Sequence, residues 1–322
     1  MSTPNPASSA LVPQPDRPPG SALRSLLRWF DTADETDPGT KGGRIDWLRV
    51  IPFIGMHLVA LVGVWWVGFS WFALWTAVAL YALRMFAITG FYHRYFSHKT
   101  FKTSRPLQFL FALIGASSVQ RGPLWWAAHH RNHHRHSDTA LDVHSPVTQS
   151  FFVSHMGWFL TRSGYRTDRA VIADLMKFPE LRLLDRFDVL VPIALATALL
   201  LLGGWLGQHR PEYGTNAAQL LVWGFFVSTV VLFHATVTIN SFVHRFGTRR
   251  YRTRDHSRNH WLLALITFGE GWHNNHHHFP GAARCGFFWW EYDLTWYGLK
   301  LMSWCRLVWD LKPVPAQLKY AR

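Results

Sequence analysis

Histidine stands out in this chain by number and by spacing. There are 19 His in 322 residues, and fifteen of them fall within residues 93–144 and 244–278. Three patterned clusters stand inside these windows. His93-Arg-Tyr-Phe-Ser-His98 reads HxxxxH, while His130-Arg-Asn-His133-His134 and His273-Asn-Asn-His276-His277 both read HxxHH. On a helix, positions i, i+3 and i+4 share a face, so each HxxHH aims three imidazoles at one point. The i, i+5 spacing opens to about 140° at roughly 100° per residue, so His93 and His98 would approach a site from different sides or bind different metals. Eight imidazoles exceed the four ligands that one zinc ion takes. Two metals fit better. Imidazole ligation with few carboxylates suits Zn, Cu, Fe or Ni. Glu270 adjoins the third box, and Asp138 and Asp142 follow the second; all three read as partners for ligand imidazole N–H groups. The isolated His57, His155, His209 and His234 read as ordinary core or surface residues. Cys285 and Cys305 form no CxxC pair, which leaves neither a disulfide framework nor a thiolate metal site.

The elements that must carry these boxes are apolar. Four stretches of spanning length run over about 48–67, 71–91, 189–206 and 217–239. Short connections join the first to the second and the third to the fourth, which predicts two hairpins. Trp47, Trp65, Trp66, Trp71, Trp205 and Trp223 fall near the ends, where an aromatic belt would sit. Excluding Arg84 and Arg210, every Lys and Arg lies on one side, so the positive-inside rule places the N-terminus, 92–188 and 240–322 in the cytoplasm. The apolar run 107–119 is too short to span and reads as an interfacial or buried helix. Residues 1–40, rich in Pro, Ser, Thr and Asp, read as a disordered tail without a signal peptide, with a short amphipathic turn at 25–30. The net charge is +14, yet only 16% of residues are charged and 49% are hydrophobic. Such a composition excludes a disordered or fibrous chain. Segregation of charge from apolar sequence argues against a nucleic-acid binder and for a basic surface facing anionic headgroups.

The text around the boxes resembles the membrane fatty-acid desaturases, specifically the acyl-CoA, Δ9, stearoyl-CoA type, in a bacterial-like form. The resemblance covers roughly 47–310. It rests on Gly90-Phe-Tyr-His-Arg-Tyr-Phe-Ser-His98, Trp126-Ala-Ala-His-His-Arg-Asn-His-His134 and Glu270-Gly-Trp-His-Asn-Asn-His-His277. It implies an all-α integral membrane protein of four transmembrane helices beneath a cytosolic helical cap that holds a di-iron site. Asn240-Ser-Phe-Val-His244 is similar to the family's NxxxH segment. By that match His244 is a ninth ligand, joining His93, His98, His130, His133, His134, His273, His276 and His277, and Asn240 holds a metal-bound water. No catalytic residue beyond the ligands is implied, and His129, His136, His144 and His278 are not carried over. Ala128-His129 stands where animal members have Arg-Asp, and Asp142-Val143-His144 stands where Asp-Pro-His is familiar. The carrier therefore stays open among acyl-CoA, acyl carrier protein and membrane lipid.

The expected layout is a disordered or amphipathic tail (1–46), a first hairpin (47–91), cap with boxes one and two (92–188), a second hairpin (189–239), and cap with NxxxH and box three (240–322). The expected activity is O2-dependent insertion of a cis double bond, at Δ9, into a saturated acyl chain. Removing hydrogen from an unactivated CH2 needs a redox metal and O2, since no acid–base side chain can do it. With no cytochrome b5-like segment in the sequence, electrons would come from a separate protein: a ferredoxin, or cytochrome b5 with its reductase. The expected location is a bacterial inner membrane, with both termini and the active site cytoplasmic. A related membrane di-iron hydroxylase is the alternative, and a metal transporter or buffer a more distant one. For the acyl tail, Met85 and Tyr81, with Ala77 beyond, lie at a suitable depth on the second helix. Tyr81 either closes the tunnel or packs against the fourth helix.

Overall fold

The structure is a computed structural model that describes residues 29–32 and 45–321. Of the disordered tail expected over 1–40, residues 29–32 are described and are packed instead, with Thr32 buried and donating to Asp185 O at 2.9 Å; the rest of it, and most of the turn expected at 25–30, lie outside the described residues.

The described chain is mostly helical, and four helices are long and apolar enough to cross a membrane: α1 (Trp47–Val67), α2 (Trp71–Ser97), α6 (Leu190–His209) and α7 (Ala217–Ser241). Gly68, at φ +72°, ends α1 where L side chains are strained. Ser70 then caps α2 by accepting from the Ala73 N–H. Asn216 caps α7 in the same way, accepting from Gln219 N–H. Both α1 and α6 pack against α7, as does α2.

Shorter helices carry the rest: α3 (Arg105–Ala116), α4 (Pro123–His136), α5 (Pro179–Arg186), α8 (Trp261–Ile266), α9 (His273–His278) and α10 (Leu294–Trp304). A two-residue antiparallel ladder pairs Lys102 with Trp309 and Thr103 with Val308. The short apolar run expected near 107–119 forms α3, buried against α2. Phe91 and Phe111 stack at 3.9 Å, and Tyr92 donates to Ala112 O at 2.8 Å. That approach needs Gly115, where a Cβ would stand 2.2 Å from the Tyr92 ring.

One boundary differs from the sequence reading. The second helix continues to Ser97, and its last stretch, Ala87–Ser97, is π-helical. Box one thus lies mostly on the helix rather than beyond its end. Hydrogen bonds from i to i+5 turn the chain less per residue than an α-helix does, which brings i and i+5 toward one face.

Candidate metal centre

Box two sits on α4, and box three forms α9. The N-terminus of α4 is held by two carboxylates from the segment leading into α6. Asp185 accepts from the N–H groups of Leu124 and Trp125, both at 3.0 Å, and Asp188 from Gly122 N–H at 3.0 Å. These satisfy donors that a helix start leaves unpaired. Burial, with Asp188 alongside, pushes the Asp185 carboxyl up to about 7.

Two arginines inside the boxes tie one box to the next. From box one, Arg94 donates to Glu270 at 3.0 Å, to Asp293 at 2.9 Å and to Ala283 O at 3.0 Å, reaching the segments around box three. From box two, Arg131 donates to Phe96 O at 2.6 Å and Ser97 O at 3.0 Å, and forks onto Asp174. Box three is fixed through its asparagines. Asn274 Oδ1 accepts from the N–H groups of Arg250 and Tyr251, while Asn275 donates to Cys285 O and Glu291.

The histidines gather into two adjoining groups. His93, His98, His130, His134 and His276 form one, and His133, His244, His273 and His277 the other; within each group the ligand atoms lie within 4.8 Å of one another. The groups meet where His134 stacks on His277 at 4.4 Å. This grouping decides between two open readings of box one and corrects the expectation for the other two boxes. His93 and His98 stand in the same cluster, because the π-helical turn shortens the angle between them. Each HxxHH divides between the clusters instead of aiming at one point. The i and i+4 imidazoles of box two go to the first cluster and those of box three to the second, while the i+3 imidazole of each crosses to the other.

Facing Nε2 atoms are 2.8 Å apart for His98 and His130, 2.9 Å for His134 and His276, and 3.0 Å for His93 and His276 and for His244 and His273. A six-coordinate ion with bonds of about 2.1 Å separates neighbouring nitrogens by about 3.0 Å, and a tetrahedral ion by about 3.4 Å. Burial, reinforced by the neighbouring imidazoles, holds His98, His130, His134, His273 and His276 well below the usual histidine range. Their rings are therefore neutral, with lone pairs to donate. His277 Nε2 is buried with no hydrogen-bond partner. An orphaned buried nitrogen among clustered imidazoles fits a metal.

Carboxylates stand behind both clusters. Glu270 lies 2.5 Å from His93 Nδ1, Asp142 2.9 Å from His133 Nδ1 and Asp138 2.9 Å from His244 Nδ1. A fourth, Asp255, lies 2.6 Å from His277 Nδ1 and was missed by sequence reasoning because it belongs to no box. Arg94 and Arg131 were missed too, although an Arg directly after the first His of boxes one and two was a visible signal. Of the remaining histidines, His144 stacks on His133, His129 approaches Arg166 O, and His278 stacks on Tyr251. These three and His136 belong to neither cluster of five and four.

A cavity of about 440 Å³ reaches the first cluster at His130 and continues past Trp126, Gln120, Thr236 and Asn240 between α1, α6 and α7. A smaller one of about 40 Å³, lined by Met85, Ile88, Thr89 and Asn240, adjoins both clusters. Tyr81 lines neither. It donates to Ile266 O at 2.5 Å and packs with Met85, Leu232 and Ala235, on the second and fourth spans. This is the contact with the fourth span that the packing alternative expects.

Comparison with known proteins places these features in context. The family profile described as fatty acid desaturase matches residues 69–301. The chain is 36% identical to an acyl-CoA 5-desaturase of Anemone leveillei, over 93% of this chain and 92% of that protein. It is 37% identical to an sn-1 stearoyl-lipid 9-desaturase of Anabaena variabilis (81% and 91% covered). It is 38% identical to a chloroplastic palmitoyl-monogalactosyldiacylglycerol delta-7 desaturase of Arabidopsis thaliana (85% and 71% covered).

Proposed function

Because the chain belongs to the fatty acid desaturase family, we propose that it inserts a cis double bond at Δ9 into a saturated acyl chain, using O2 and an external electron donor. The observation that carries this reading is the five-plus-four grouping of imidazoles at the end of a largely apolar cavity. His93, His98, His130, His134 and His276 would hold one iron ion. His133, His244, His273 and His277 would hold the other, with Asn240 placing a water beside it. That pair supplies the redox chemistry with O2 that unactivated CH2 groups demand. Overall, a CH2–CH2 unit, O2, two electrons and two protons give CH=CH and two waters.

The protein's own part is positional. Glu270, Asp142, Asp138 and Asp255 fix the Nδ1–H tautomers of their histidines, so that each Nε2 faces inward. Trp126 stacks on His130 at 5.1 Å and walls the cavity at its metal end. Apolar walls exclude water around the acyl carbons. We assign the four spans to two hairpins under a cytoplasmic cap, with both termini on that side of a bacterial inner membrane. A ferredoxin, or cytochrome b5 with its reductase, would dock on the basic cap.

Fatty-acid methyl-ester analysis of a desaturase-deficient host expressing the chain tests the reading. A cis-9 alkene is expected. An alcohol would identify a hydroxylase instead, and an alkene elsewhere would correct the position.

A further inference from the structure

The larger cavity does not open only toward the cap. Its walls include Gly55 and Met56 of α1, Ile193 and Ala196 of α6, and Phe226 and Val230 of α7. Both α1 and α6 pack chiefly on α7 rather than on each other, which leaves a cleft between them floored by α7. Ile193 lines the cleft and is still 40% exposed on the helix perimeter. Phe226 precedes Asn240 by fourteen residues, roughly 20 Å along a helix axis. The cleft thus crosses much of a hydrocarbon layer about 30 Å thick. A purely cap-side substrate needs no such side opening.

The rim carries a second, independent signal. Among the described residues lining the cavity, Arg49 and Arg121 are the Lys or Arg cations. Arg121 is bonded to Asp188 at 2.8 Å, and Arg49 lies 3.9 Å from Asp46 and 4.1 Å over the Tyr165 ring. Each cation is already matched by a carboxylate. Coenzyme A brings several phosphates and needs cations to spare. A rim of paired arginines with Trp29, Thr32 and Tyr165 suits an ester and a glycerol backbone at interface level instead.

Resting on the desaturase reading above, we propose that the cleft between α1 and α6 is a lateral entrance. Through it, an acyl chain still esterified in a membrane glycerolipid passes from the bilayer to His130 and Asn240. The substrate is the lipid, not soluble acyl-CoA.

Gly55 supplies the test, because a Cβ there meets nothing within 4 Å. Gly55→Trp fills the cleft without a clash at its base, and Ala196→Phe narrows it from the opposite helix. Membranes from expressing cells are washed free of CoA, then given NADPH and dialysed cytosol as the electron supply. One arm follows new double bonds in the membranes' own lipid-bound chains, and the other adds deuterated stearoyl-CoA. Wild-type membranes are expected to desaturate their lipids without any labelled alkenoyl-CoA. Gly55→Trp and Ala196→Phe, checked for unchanged metal content and elution on gel filtration, are expected to lose lipid conversion at least tenfold. Labelled alkenoyl-CoA appearing before lipid product, or undiminished lipid conversion in both variants, overturns the lateral entrance and leaves the desaturase reading intact. Absence of new double bonds in both arms overturns the desaturase reading, and this proposal with it.

Discussion

Replacing Asp255 by Asn removes a charge while keeping the shape of the side chain. Asp255 Oδ2 lies 2.6 Å from His277 Nδ1, and its other oxygen accepts from Ser257 N–H at 3.0 Å and Thr253 Oγ1 at 2.8 Å. Burial opposes ionisation of this carboxyl, but hydrogen bonds from His277 and Ser257 outweigh it and keep the group well below the usual range. It is a carboxylate at any working pH, and it makes His277 the Nδ1–H tautomer with Nε2 facing the cluster of four. An amide at this position is a poorer acceptor, and it can turn its NH2 toward the ring and favour the wrong tautomer. Losing such a partner typically weakens metal affinity about 10- to 100-fold, or about 1.4–2.7 kcal/mol. The loss should fall on one cluster only, because Asp255 bonds no member of the cluster of five. Iron measured after dialysis against graded chelator is expected to drop from two ions per chain to about one, at roughly 10- to 100-fold less chelator than the wild type needs. Product formation is expected to fall with it. Simultaneous loss of both ions, or wild-type retention of both, would refute the division into five and four.

His133→Ala and His276→Ala are expected to abolish product while leaving membrane insertion intact, since the spanning helices satisfy their own backbones. His155→Ala should keep most activity, because that ring bonds His234 at 3.0 Å and Ser241 at 2.9 Å, outside both clusters; equal loss in product assays of all three would mean the boxes are not special. Arg131→Lys removes the fork that holds Phe96 O, Ser97 O and Asp174 together and should cost about 2–4 kcal/mol in thermal unfolding, with some loss of metal from the cluster of five. Asp185 titrates near 7 when folded and near 4 when unfolded, so the folded state binds the extra proton between those values. Stability should therefore fall as pH rises from about 4 to 7, and unfolding midpoints of Asp185→Asn should lack that slope.

The spans and the boxes were legible because each writes its own periodicity into contiguous sequence. The membrane helices need long apolar runs, and the boxes need imidazoles within a turn of one another. What the spacing concealed was the division of each box. In an α-helix, i+4 lies about 40° to one side of i and i+3 about 60° to the other, so a face that looks single can address two targets. The i and i+4 rings of box two, His130 and His134, take one target and His133 the other; box three reverses the assignment with His273 and His277 against His276. Box one left two outcomes open because a 3.6-residue period was assumed where the chain is π-helical. The ties between boxes were hidden for a different reason: Arg94 reaches Glu270 and Asp293 across well over a hundred residues, and no local pattern records that. The consequence of the divided boxes is mechanical. His133 and His134 are sequence neighbours on α4, and His276 and His277 are neighbours on α9, so the spacing between the two clusters is set twice by the rigid step from one helical residue to the next. Loops could not fix it as closely. Arg94 and Arg131 then need only hold the helices in register.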